Sequence, residues 1–167
     1  MEIKSQFEYN GKTFNAHWVE DEPTHGLVSG GRVGGVHTIC FYRDKIVIVY
    51  DEKKNRWTPP GGGIEIGETY QEAVIREVRE ETNMNVVYQH YIGYQDVSDE
   101  SGKRFERQAR VFCIVEPFGD FVSDPDGDIT KIKLIDPKDY KEYFYSGEIW
   151  DRLMVLTMEM KNKYDNR

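Results

Sequence analysis

Residues Trp57 to Gly63 read WTPPGGG and lead, within seven residues, into a segment that has every mark of a helix start. Thr69 followed by Glu72 is a capping box, in which each residue satisfies a backbone N–H of the other. The pattern predicts a helix over Tyr70–Thr82, with Asn83 as a left-handed stop. On that helix Glu77, Glu80 and Glu81 stand at i, i+3 and i+4, so three carboxylates project from one side. Like charges at this spacing destabilise a helix by a few tenths of a kcal/mol per pair, and Arg76 and Arg79 offset only part of it. By itself such a cluster reads as a solvated charged face. A hard divalent cation would remove the repulsion, and Mg²⁺ is usually held by one or two carboxylates together with substrate phosphates.

The rest of the chain has to supply a body that holds this helix against that loop. With 167 residues, 38% apolar and 31% charged, it suits one domain with a sizeable core. The longest uncharged apolar run, Ile46 to Tyr50, falls far short of a membrane span, and MEIKSQFEYN carries no apolar leader stretch. The formal net charge of -8 gives no general attraction to a polyphosphate backbone, so long nucleic acid is not the default partner. Cys40 and Cys113 each sit in an apolar stretch and make neither a disulfide framework nor a zinc site. They read as buried free thiols, and the compartment as the cytoplasm.

Two runs rich in aromatic and β-branched residues flank Asn10-Gly11, which predicts an opening β-hairpin over Phe7 to Val19. Glu20 to Gly35 holds five glycines and a proline without periodicity and reads as a linker or flap. Strands are expected at Val36–Tyr42, Lys45–Tyr50, Val86–Val97, Arg107–Val115 and Ile129–Ile135. The Trp57–Gly63 stretch reads as too rich in proline and glycine for a regular element. A last helix carries Ile149, Trp150, Leu153, Met154, Leu156 and Met160 at helical spacing. Strands interspersed with two helices predict a mixed α/β fold, a mixed sheet covered by helices. Residues 1–33 are expected to form a hairpin and Gly-rich extension within the same domain as residues 34–167.

The loop and the helix also share one longer pattern. Gly62, five residues, Glu68, seven residues, Arg76-Glu77, Val78, one residue, Glu80-Glu81, one residue, Asn83 and Met84 resembles the Nudix box almost position for position. Only the final glycine differs, and Asn83 is the residue that best replaces glycine in a left-handed stop. The 23-residue motif from Gly62 to Met84 is similar to that of the Nudix hydrolases, whose fold is an α/β/α sandwich with a mixed central sheet. The resemblance implies hydrolysis of a nucleoside diphosphate linked to another moiety, at a pyrophosphate bond, with Mg²⁺ or Mn²⁺. It implies Glu77, Glu80 and Glu81 as metal ligands, helped by a backbone carbonyl of the Gly61-Gly62 loop, with Gly62 as its expected source. Glu68 and Arg76 resemble the pair that in the family ties the loop to the helix. A general base is expected from the box glutamates or from a later acid: Glu100, Glu106, Glu116, Asp120, Asp124, Asp126 or Asp128.

Other residues carry weaker expectations. Arg32, in the glycine-rich flap, and Trp57, ahead of the glycines, are the candidate substrate contacts. Lys103, Arg104, Arg107 and Arg110 form a basic cluster, expected at the surface, because spacings of three put a strand's residues on mixed faces. The four histidines show no metal-ligand spacing. Motifs that the family uses for diadenosine polyphosphates, ADP-ribose, coenzyme A or NADH are absent, which leaves a small nucleotide, for instance a nucleoside triphosphate. The alternatives are a nucleotide-binding sensor without turnover and a pyrophosphohydrolase of RNA 5′ ends. The aromatic hairpin (Phe7, Tyr9, Phe14, Trp18) is the candidate lid or surface of a homodimer.

Overall fold

The computed structural model of the chain describes residues 1–22, 33–144 and 147–167, with the backbone alone for residues 104 and 105. Arg32 and most of the glycine-rich flap therefore lie outside the described residues. The strands are β1 Glu2–Tyr9, β2 Lys12–Val19, β3 Gly35–Tyr42, β4 Lys45–Asp51, β5 Arg56–Thr58, β6 Gly61–Gly63, β7 Met84–Ser98, β8 Arg104–Pro117 and β9 Ile129–Ile135. The helices are α1 Tyr70–Thr82, the short α2 Lys141–Phe144 and α3 Glu148–Asp165, with a 3₁₀ turn at Pro137–Asp139.

The strands form one sheet in the order β1-β2-β7-β8-β3-β4-β5, with β6 also paired to β3 and β9 to β4. Only the β3–β8 pairing among these is parallel, so the sheet is mixed. Strand alternation splits the core in two. On one face α1 lays Ala73, Val74 and Val78 on Val36, Cys40, Val47, Val111 and Cys113. On the other, α3 lays Ile149, Trp150, Leu153 and Met154 on Phe41, Ile46, Ile48, Phe112 and Ile114. The layers are helix, sheet, helix. Both cysteines are buried and free, and no helix among the described residues is long and apolar enough to cross a membrane.

The structure corrects three expectations. Trp18, expected with the hairpin aromatics on a lid or dimer surface, is instead fully buried: β2 pairs with β7, and Ala16 joins the same core cluster. Gly93 permits this docking, since a Cβ there would sit 2.2 Å from the Val19 carbonyl oxygen and 2.7 Å from the Trp18 ring. The Pro/Gly stretch is not irregular throughout, because Gly61–Gly63 pair with Gly35–His37. A Cβ at Gly61 would stand 2.2 Å from the Val36 carbonyl oxygen, so the lack of side chains is what lets this strand form. Two members of the basic cluster are not at the surface, whereas Lys103 is exposed. Arg107 and Arg110 are 6% and 4% exposed, on opposite faces of β8.

Because Trp18 fills the core rather than decorating a surface, Trp18→Ala is expected to cost about 3–5 kcal/mol of stability. Denaturant unfolding measures it, and a loss below about 1 kcal/mol would return the hairpin to the role of an accessory arm.

Candidate active site

The site begins as local helix chemistry. Thr69 accepts from the Glu72 N–H at 3.2 Å, and Glu72 accepts from the Thr69 N–H at 2.8 Å, which fixes the start of α1. Asn83 ends it at φ 54° and donates its N–H to the Arg79 carbonyl. Between these two ends the helix register presents Arg76, Glu77, Glu80 and Glu81 to the Gly61–Gly63 strand.

Arg76 organises the group. Its Nε and Nη2 donate to Glu68 at 2.8 and 2.9 Å, and Nη2 also donates to the Gly63 carbonyl at 2.8 Å. Its Nη1 donates to Glu77 at 2.8 Å and to Glu80 at 3.3 Å. These hydrogen bonds hold the Glu68 carboxyl below the usual carboxylate range and raise the Arg76 guanidinium further above its own. Glu81 turns instead to the Gly61 N–H, which donates to it at 3.1 Å.

Glu77 and Glu81 are buried, 8% and 9% exposed. Burial pushes the Glu77 carboxyl up, despite Arg76. Burial pushes Glu81 up to about 9, with Glu77, Asp124 and Asp51 adding like charge. Gly62 gives Glu77 its place: a Cβ there would stand 2.4–2.7 Å from the Glu77 carboxylate. A side chain at position 62 would have to displace the Glu77 carboxylate.

No ready-made cluster of three or more Asp, Glu, His or Cys in metal geometry occurs among the described residues. Glu77 and Glu80 lean on Arg76, and Glu81 on Gly61. The donor set nevertheless suits a hard cation, because carboxylates pushed up by burial, with neighbouring acids adding to it, are the groups that a divalent ion would return to their charged form.

Later acids also converge here. The chain after β8 returns along α1: the Phe118 N–H donates to the Asn83 carbonyl, and Asn83 Nδ2 donates to the Asp120 carbonyl at 2.8 Å. This brings Asp126 close enough to raise Glu77, and Asp124 close enough to raise Glu81. Asp124 already accepts from the N–H groups of Asp126 and Ile129.

Above the glycine strand opens a cleft of about 810 Å³. Phe7 and Phe14 of the hairpin form one wall, and Trp57, Tyr143, Phe144 and Trp150 the other. Trp57 is half-buried, edge-on to Tyr50 and Tyr143. The floor carries His37, Gln95, Glu106, Gln108 and Arg110. Burial, with Arg110 nearby, holds the His37 imidazole well below its usual range and therefore neutral at pH 7. Arg107 lies under the opposite face, paired to Asp96 at 2.7 and 2.6 Å and stacked on Tyr94.

Sequence reading missed the floor. Its signal was the alternation Arg110, Phe112, Ile114, which places a guanidinium on the inward face of a core strand.

Comparison with known proteins agrees with the motif. A family model described as the NUDIX domain matches residues 32–154. The uncharacterized Nudix hydrolase YvcI of Bacillus subtilis (strain 168) is 39% identical over 44 residues, 26% of this chain and 28% of that protein. The match thus spans little more than a quarter of that relative. Among solved structures, the Bacillus subtilis pyrophosphohydrolase BsRppH superposes with a TM-score of 0.68 at 20% identity, covering 94% of this chain and 97% of that one. A NUDIX hydrolase from Nitrosomonas europaea gives 0.58 at 18% identity, over 78% and 90%. At these identities the structures show a shared fold.

Two expectations follow. Gly62→Ala is expected to displace Glu77 and weaken Mn²⁺ binding at least about tenfold, read by calorimetry, with the fold retained by circular dichroism. Glu81 has a folded pKa near 9 against an unfolded value of about 4.3, so its contribution to stability is fully present below pH 4.3 and is lost as pH rises toward 9. Glu81→Gln removes this decline: without metal, the variant is expected to exceed the wild type by about 1–3 kcal/mol near pH 8 and to match it near pH 4. Denaturant melts across that range decide it, and a gap independent of pH would mean that Glu81 ionises freely.

Proposed function

The chain belongs to the Nudix family of hydrolases, which act on phosphoric anhydride bonds, and from that premise we propose that it cuts the pyrophosphate link of a small nucleoside diphosphate derivative with a divalent cation. The observation that carries this reading is the junction at Gly61–Gly63. Its backbone holds Glu77 and Glu81 on one side and lines the aromatic cleft on the other.

In this reading Glu77, Glu80 and Glu81 hold Mg²⁺ or Mn²⁺, and the Gly62 carbonyl assists. Such a cation, when bound, neutralises charge on the phosphate oxygens and makes water easier to deprotonate. The remaining work belongs to the chain. Glu68 and Arg76 keep the glycine strand and the helix in fixed register, so the acids do not have to reorganise when substrate arrives. The aromatic walls hold the nucleoside side of the substrate and keep water from all but the reacting end. Asp126 serves as the proton acceptor of the later loop, since Asp124 is engaged in its own turn. A water lined up with the scissile bond transfers its proton to that carboxylate as it attacks phosphorus, and the leaving phosphate takes the bonding pair.

The burial of Arg107 and Arg110 removes the basic surface that would have favoured long RNA. A small nucleotide remains the better match to a cleft of this size.

Incubation with Mg²⁺ or Mn²⁺ and a panel of nucleoside triphosphates, nucleotide sugars, ADP-ribose and dinucleotides, resolved by phosphorus NMR, tests the proposal. Turnover is expected with at least one class, abolished by chelation and lowered at least about 100-fold by Glu81→Gln. A ligand that raises the melting temperature with metal yet is never consumed would make the protein a sensor instead.

A further inference from the structure

Arg110 is the group for which the proposed mechanism has no use, and among the described residues it leaves more buried side-chain atoms without a hydrogen-bond partner than any other. It is 4% exposed, its guanidinium lies 5.6 Å from the centre of the Trp150 ring, and among the described residues only its Nη2 has a hydrogen-bond acceptor, Gln95 Oε1 at 2.8 Å. Its Nε and Nη1 are buried without any hydrogen-bond acceptor among the described residues. Burial brings the guanidinium down to about 10, which leaves it charged at neutral pH. A desolvated cation with unused donors is costly unless something that enters the cleft completes it.

The surroundings say what kind of group that is. The carboxylate that acts on Arg110 is Glu106, four residues earlier on the same face of β8, and it also lines the cleft. Their Cα atoms are about 13 Å apart along the strand, with Gln108 on the same face between them and donating to Glu106 at 2.8 Å, so a flat bicyclic ring lying over Gln108 spans the two with a hydrogen bond at each end. The floor therefore offers donors at one end, an acceptor at the other and no net charge. A phosphate placed on Arg110 would meet Glu106 and leave that acceptor without purpose. Adenine and cytosine each carry an exocyclic amino group where Arg110 needs an acceptor. Guanine has O6 and N7 acceptors on one edge and N1–H and amino donors on the other. The walls, Phe7, Phe14, Trp57 and Tyr143 among them, supply apolar faces for its ring.

We infer that the cleft floor is a guanine-reading site, in which Arg110 donates to O6 and N7 and Glu106 accepts from N1–H and the 2-amino group. This makes the substrate a guanine nucleotide derivative and rests on the hydrolase reading above. Each bidentate pair of this kind discriminates against the wrong base by one to two orders of magnitude. Row by row, Arg110 pairs with His37 and His37 with Gly61, so a base on Arg110 lies about two strand spacings, roughly 10 Å, from the glycine strand. Its phosphates then reach toward Glu77, Glu80 and Glu81.

The test uses nucleoside monophosphates, which have no anhydride bond, so binding is measured apart from turnover. Calorimetry on the full wild-type chain with Mg²⁺ compares GMP, IMP, 7-deaza-GMP and AMP. GMP is expected to bind at least about tenfold tighter than AMP. IMP, lacking the amino donor, and 7-deaza-GMP, lacking N7, should fall between them. Arg110→Gln is expected to bring the GMP to AMP ratio within about threefold, and the wild-type ligand series stands even if that variant does not fold. Equal affinity for GMP and AMP, or no binding by any of the four at millimolar concentration, overturns the inference. Base discrimination without turnover of any anhydride would sink the hydrolase reading alone, and turnover without base discrimination would sink this inference alone.

Discussion

One guanidinium sets the geometry on which the site depends. Arg76 distributes its donors over Glu68, the Gly63 carbonyl, Glu77 and Glu80, so the loop before the helix, the strand that lines the cleft and two acids on the helix share a single plane of hydrogen bonds. Lysine would not replace it, because an ammonium cannot present a rigid fork to Glu68 while reaching two further carboxylates. The arrangement is also one cation against several anions. Glu81, which Arg76 does not reach, is the acid left deepest in a field of like charge.

The sheet converts this local device into a site with two sides. Because β3 and β8 run parallel in register, Val36 and Ala109 turn toward α1 while His37 and Arg110 turn toward the cleft. The glycine strand sits at the edge of that division. With no side chains of its own, it lets carboxylates approach its backbone from the helix side and leaves the cleft side open. The hairpin completes the cleft only because Trp18 is locked into the core over Gly93; Phe7 and Phe14, stacked at 5.5 Å, are then held above the floor.

What could be read from the sequence was whatever depends on neighbours along the chain. The capping box, the helix limits, the Asn83 stop and the Asn10-Gly11 turn are set within a few residues, and they stand where they were expected. The strands of the Pro/Gly stretch were not legible, since β6 exists only because β3 lies against it. Nor was the docking of β2 on β7, which joins residues about eighty positions apart and depends on a glycine whose use appears only when Trp18 arrives. Arg107 and Arg110 show the same limit from another side. Spacing put them on different faces, but burial, with Asp96 accepting from Arg107 and only Gln95 accepting from Arg110 among the described residues, comes from tertiary pairing.

The electrostatics of the two halves differ in a way that orders the chemistry. The cleft floor balances Arg110 against Glu106 and can receive a neutral ring with little charge to answer. The carboxylate side cannot receive a polyphosphate on the same terms. Arg76 is already committed to Glu68, Glu77 and Glu80, Glu81 is surrounded by acids, and the chain as a whole carries a formal charge of -8. Under the hydrolase reading, recognition of the nucleoside and tolerance of its phosphates are thus separate problems with separate solutions. The first is built into the fold. The second requires positive charge from outside the chain, and the buried acids that make the metal-free site unfavourable are the same groups that would select a cation of high charge density.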